Sequence, residues 1–199
     1  MRYRRGGRPH LLGGSPNGCG AGGRGAKGGM RAMGFSAISG EGDGSHPIDL
    51  VEHLALSNDW EFDRIAEDQI AMALEGVWRV YSLTLAWSAG DEMLRLICTY
   101  EMEPPEHRLP EVHDLLNRVN DDCWSGSFTW WGEQKLMVYR YGLVLAGEQV
   151  AGPDQIDRMI HSAIAACERY YPAFQLATWG GESAARAMRV AISEAWGRA

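Results

Sequence analysis

The chain predicts an α+β domain built on a bent antiparallel sheet of about five strands packed with helices, in the order α-βββ-α-ββ-α. Between Trp60 and Leu145, apolar residues alternate with polar ones in short runs broken by Gly, Asp and Pro, the period-two pattern of half-buried strands. Two runs, one around Val112 to Val119 and one beyond Pro153, instead repeat every three or four residues, as helices do. A hydrophobic content of 45% over 199 residues is that of a globular protein with a real core, and no repeat of 20 to 50 residues breaks the reading.

The first element runs from His46 to Leu56, where Ile48, Leu50, Val51, Leu54 and Ala55 keep helical spacing behind Ser45 as a cap and Pro47 in the first turn. Trp60, Phe62, Arg64 and Ile65 then start an extended segment. After Glu67-Asp68-Gln69 come Ile70, Met72 and Leu74, so this stretch reads either as one bent strand or as a tight hairpin. Tyr81, Leu83, Leu85 and Trp87 alternate into a second clear strand, and Leu94, Leu96, Cys98 and Tyr100 into another, ending before Pro104-Pro105. Pro110 and Glu111 suit the first turn of a helix whose apolar face is Val112, Leu115, Leu116 and Val119. Phe128 to Trp131 and Leu136 to Leu145 pair around Gly132-Glu133-Gln134. Past Pro153 a long helix carries Ile156, Met159, Ile160, Ala163, Ile164 and Cys167 to Tyr170 or Tyr171, where Pro172 is expected to kink or end it. A helical pattern then resumes through Ala184, Ala187, Met188 and Ala191, with Gly180-Gly181 as a second weak point.

Charge divides the chain in two. Residues 1 to 33 hold seven Lys or Arg and no Asp or Glu, so the net charge of −7 splits into +7 there and −14 for residues 34 to 199. With 11 glycines, the same segment cannot bury enough surface to offset its ordering entropy, and residues 1 to 44 are expected to be a disordered extension ahead of a single domain at 45 to 199. An upstream extension with the native start at Met30 or Met33 is one reading of it, and an RGG-like segment around Arg4-Arg5-Gly6-Gly7-Arg8 another. An acidic domain repels phosphates, which argues against nucleic-acid binding by the core. No export signal and no apolar run of about 18 residues is present, so a cytoplasmic protein with no membrane contact is expected.

Catalytic signatures are missing. The glycine pattern at Gly20 to Gly25 follows no strand, no serine stands in GxSxG, and His107 and His113 sit among Glu106, Glu111 and Asp114 without zinc spacing. Cys19, Cys98, Cys123 and Cys167 form no CxxC pair and are expected to be reduced and structural. Neither a cofactor, a metal nor a catalytic residue is expected. Aromatics are the one excess, with eight tryptophans, most of them in or beside the strands. On a strand, Trp130 and Trp131 point to opposite faces, so one of them needs cover other than the common core. Trp130, Trp131 and Trp87, with Arg64 and Arg140 embedded in strand patterns, form the candidate partner-binding surface, although the arginines are also placed to pair within the fold.

Trp60-x-Phe62-x-Arg64 with Glu67-Asp68, Trp78 to Trp87, Asn120 with Trp124 and Phe128, Tyr139-Arg140, and above all Glu168-Arg169-Tyr170-Tyr171-Pro172-Ala173-Phe174-Gln175 with Trp179 resemble the bacterial YbjN domain family of sensory transduction regulators, over about residues 45 to 196. The resemblance implies a fold similar to type III secretion chaperones and a cytoplasmic, acidic, often dimeric protein that binds other proteins. It carries over no catalytic residue. The expected function is therefore a non-catalytic protein-binding module, chaperone-like or an adaptor in a signalling or stress pathway, working as a homodimer on a protein client. The alternatives are a small-molecule sensing domain or an enzyme with an unrecognised site. Trp124 and Phe174 are both expected to be core rings.

Overall fold

Alternating side chains commit the strands to one sheet with two unlike faces. The computed structural model describes residues 46–147 and 149–196, which fall in a single unit. In chain order these are α1 (Pro47–Ser57), β1 (Glu61–Ala66), β2 (Gln69–Glu75), β3 (Val80–Ser88), β4 (Met93–Glu101), α2 (Leu109–Asp122), β5 (Ser127–Trp131), β6 (Leu136–Val144), α3 (Pro153–Thr178) and α4 (Ala184–Trp196). The sheet order is β1-β2-β3-β4-β6-β5, with every neighbouring pair antiparallel. The expected disordered extension, Cys19 and the Ser45 cap lie outside the described residues. The helix cap that is described is His46, whose Nδ1 accepts the Ile48 N–H at 3.3 Å.

Six strands replace the expected five or so, because Glu67-Asp68 closes a tight hairpin between β1 and β2. The register slips between Arg64 and Ala66, and Trp87 N–H donates to Asp68 O at 2.9 Å, which fastens the turn to the end of β3. At the other end of the chain, α3 does not stop at Tyr170 or Tyr171 but continues through Pro172 to Thr178. Proline removes one ladder hydrogen bond, at about 3 kcal/mol. Burial of Ala173, Phe174 and Ala177 beyond it offsets that loss, since a buried Phe alone contributes about 1.5–3 kcal/mol. The helix ends at Gly180-Gly181, where Gly181 takes φ +70. There Arg108 donates to Ala177 O at 2.8 and 2.6 Å and also to Glu182 O, so the last carbonyls find a donor.

One face of the sheet carries the core. Registers bring Ile70, Leu85, Leu96 and Tyr141 into one row and Met72, Leu83, Cys98, Tyr139 and Phe128 into the next, all on the same side. Helix α1 packs over β1 to β3, α2 against β5, α3 across β4 and β6, and α4 against α2 and α3. Phe128 is the meeting point, with ring centroids 5.1 Å from Tyr139, 5.8 Å from Tyr170 and 5.7 Å from Phe174. Asn120 at the end of α2 holds the same strand, donating to Phe128 O at 3.0 Å and accepting the Phe128 N–H at 2.7 Å. A short edge strand is thus pinned by one side chain that imitates a neighbouring strand.

Trp124, expected in the core, is instead 98% exposed, because the chain leaves α2 at Cys123 and turns into β5 with that ring outward. Phe174 is fully buried as expected. Phe174→Ala should accordingly lower stability by about 3–5 kcal/mol, whereas Trp124→Ala should change it by less than about 0.5 kcal/mol, both read from urea unfolding.

Candidate functional site

The second sheet face is built from the residues between the core positions. Ala71, Thr84, Ile97, Arg140 and Ser127 form one row across five strands, and Ala73, Ser82, Thr99, Val138 and Thr129 the next. Among the described residues, no helix packs on this side. Its middle is lined largely by Ala, Ser and Thr, while large apolar side chains stand at the margins: Ile65, Val80 and Val144 are more than half exposed and Trp131 is 36% exposed. The face is a shallow floor with apolar corners. Along β1 and β2, Glu61, Asp63 and Glu75 add three exposed carboxylates on the same side.

The five candidate residues do not form one surface. Trp131 and Arg140 lie on this open face, and Arg140 is exposed with no ion pair among the described residues. Trp130 points to the helix side, where its indole N–H donates to Met102 O at 3.1 Å and its ring meets His113 at 6.3 Å. Trp87 and Arg64 come together elsewhere, in an open cleft of about 930 Å³ with His46, Glu67 and Asp68 at the head of α1.

Arg64 is spent within the fold. Its Nη1 reaches Asp49 at 2.6 Å and Glu52 at 2.7 Å, Nη2 donates to Glu67 O at 2.7 Å, and Nε to Ala66 O at 3.4 Å. The hydrogen bonds that Arg64 donates to Glu52 and then Asp49 raise its pKa further above the ordinary arginine value. The charge therefore clamps α1 to the bulged hairpin, with four of its five N–H donors used within the fold.

A separate polar cluster, missed by the sequence reading, lies where the β2–β3 turn meets α3. Gly76 is required there: a Cβ would collide with Glu168 Oε1 and with the Tyr81 ring. Glu168 Oε1 accepts the Trp78 backbone N–H at 3.3 Å, and the Trp78 ring stacks on Tyr171 at 6.2 Å. The only signal in the sequence was the Glu168 to Tyr171 stretch of the family motif, which gave no hint of its contacts.

No group of three or more His, Cys, Asp or Glu among the described residues is placed to hold a metal ion. Cys98, Cys123 and Cys167 are free thiols, and Cys98 and Cys167 touch in the core with sulfurs 3.6 Å apart. No helix among the described residues is long and apolar enough to cross a membrane.

The sequence profile of the YbjN family, described as "Putative bacterial sensory transduction regulator", matches residues 47–176. The chain belongs to this family. Among solved structures, the chain is similar to YbjN from E. coli, described as "a putative transcription regulator", with 10% identity and a TM-score of 0.46 over 62% of this chain and 90% of that one. A chain of the HopA1–SchA chaperone–effector complex is similar with 14% identity and a TM-score of 0.41 over 61% of this chain and 89% of that one. A comparison with curated proteins finds no match. The matched span of the YbjN family runs from the first helical residue of α1 to Leu176 in the last turn of α3, so it takes in the whole sheet and leaves α4 outside.

Buried tyrosines give this YbjN-family domain a defined alkaline limit. Burial pushes the Tyr139 hydroxyl up to about 12, and burial likewise raises Tyr81, Tyr100 and Tyr170 above the ordinary value of 10.0. The folded chain holds these protons more tightly than the unfolded one, so the tyrosines' contribution to stability is level below about pH 10 and falls as pH rises through about 12. Urea midpoints measured from pH 8 to 12 should show that decline, and Tyr139→Phe should make it shallower.

Proposed function

We propose that the chain is a non-catalytic protein-binding regulator that docks an amphipathic helix of a client on the open face of its sheet. The observation that carries this is the pairing of a floor of small side chains with large apolar residues at its margins, an arrangement that leaves room for a helix and gives it hydrophobic contacts at both ends. Arg140 in the middle and the carboxylates Glu61, Asp63 and Glu75 to one side fix the sign of the client: basic where it crosses β1 and β2, acidic or neutral near β6. The acidity of residues 34 to 199 favours basic clients in the same sense.

The working form is a cytoplasmic homodimer joined edge to edge through β5. The two sheet edges differ in this respect. β1 carries Glu61, Asp63 and Arg64 and a register slip, the devices that keep an edge from pairing, whereas Ser127-Phe128-Thr129-Trp130-Trp131 carries no charge and no proline. Antiparallel pairing about Thr129 requires Asn120 to hand the Phe128 N–H and O to the partner strand, and it then sets Trp131 of one copy against Ser127 of the other on the open face, and Trp130 against Phe128 on the helix side.

Two substitutions, with a third as control, separate these statements. Thr129→Lys should turn a dimer into a monomer in sedimentation equilibrium at micromolar concentration, and a wild type that is itself monomeric there removes the dimer. Thr84→Arg, a half-exposed position on the open face, should leave folding intact and abolish client recovery in affinity capture. Arg118→Glu on α2 should leave recovery unchanged. Equal recovery by all three chains would sink the open-face reading.

A further inference from the structure

Cys98 in β4 and Cys167 in α3 meet in the core with their sulfurs 3.6 Å apart, although 69 residues separate them in the chain. Sheet register places the first of them: Cys98 stands between Leu83 and Tyr139 on the helix side, where α3 packs against β4. Both residues are 0% exposed. A disulfide holds its sulfurs about 2.05 Å apart, so a shift of roughly 1.5 Å separates this thiol pair from a bond. Two conditions keep the bond from forming while the fold is closed. The reactive species is the thiolate, and the hydrogen bond that Cys167 donates to Cys98, followed by burial, holds the Cys167 thiol well above its ordinary value. The second condition is access, since no oxidant reaches either sulfur under α3. Both conditions come from the docking of α3 on the sheet, and both lapse together when that helix opens.

We propose that Cys98 and Cys167 form a redox strap that hydrogen peroxide closes only after α3 has opened from the sheet, and that the disulfide then fixes α3 to β4. In the opened chain one thiolate attacks the peroxide: an S–O bond forms, the O–O bond breaks, and the hydroxide released takes up the thiol proton as water. As α3 returns, the second sulfur attacks the sulfenic acid, an S–S bond forms, the S–O bond breaks, and a second water leaves with the second thiol proton. Two thiols lose two electrons in all, and one peroxide becomes two waters. The new bond closes a long loop in the unfolded chain, so the oxidised domain resists the very opening that admitted the oxidant. The strap involves neither the open face nor the β5 edge, and it stands apart from the proposed client and dimer.

The test treats the full chain with hydrogen peroxide at neutral pH, with and without urea below the unfolding transition, and reads the joined sulfurs by non-reducing peptide mapping. Cys98 should be linked to Cys167 within one chain, at a rate that rises at least about tenfold in urea. The urea midpoint of the oxidised chain should lie at least about 1 M above that of the reduced chain, and dithiothreitol should restore the lower value. Cys123→Ser, which removes the half-buried thiol, should leave the link and the shift unchanged, whereas Cys167→Ala should abolish both. The wild-type map and Cys123→Ser carry the test even where Cys167→Ala fails to fold. A link to Cys123 or between two chains, or sulfinic acid on Cys98 or Cys167 with no link, overturns the proposal. A link that forms equally fast without urea, or one that leaves the midpoint unmoved, overturns it as well.

Discussion

The docking of α3 on the sheet through Phe128, Tyr139, Tyr170 and Phe174 is the contact on which the other arrangements depend. These rings join the last two strands to the long helix, and a cluster of buried aromatics contributes both area and edge-to-face attraction. Tyr170 also donates to Asp122 at 2.7 Å, which ties the same helix to the end of α2. With α3 seated, Arg108 and Glu111 can reach the α3–α4 turn, where Glu111 caps the Ala184 N–H at 2.8 Å. Coverage of one sheet face is thus complete.

That completeness has a functional consequence. A sheet with helices on one side alone must either make its other side polar or use it. Here the choice is mixed: Ser82, Thr84 and Thr99 are tolerant of water, but Ile97, Val138, Val144 and Trp131 share their face. Val138 is fully buried, with Thr99 and Thr129 as its neighbours across the strands. A surface so composed is soluble when empty and still gains by being covered, which suits a binder that must survive without its client.

Much of the architecture was legible because strand alternation is a local signal. Leu83, Leu85, Leu94 and Leu96 announce their strands without help from distant residues, and the opposite directions of Trp130 and Trp131 follow from the pleat. Three features were not legible, each for a physical reason. Glu67-Asp68 is too short a turn to tell from a bend until its hydrogen bond to Trp87 is seen. Pro172 marks a helix end by local preference, yet tertiary burial of Phe174 carries the helix past it. Trp124 reads as core by residue type, but a ring in a turn takes its burial from packing that the sequence does not encode nearby. The candidate site divided for the same reason: Arg64 finds its partners on α1, 12 and 15 residues away, while Arg140 stands on the open face.

The most direct test of the open face is a photo-crosslinking amino acid placed in living cells at Thr84 or Thr99, with Arg118 as the helix-side control. The account predicts discrete higher-mass adducts from Thr84 and Thr99 and none from Arg118. Adducts from Arg118 with none from the two open-face positions would contradict it.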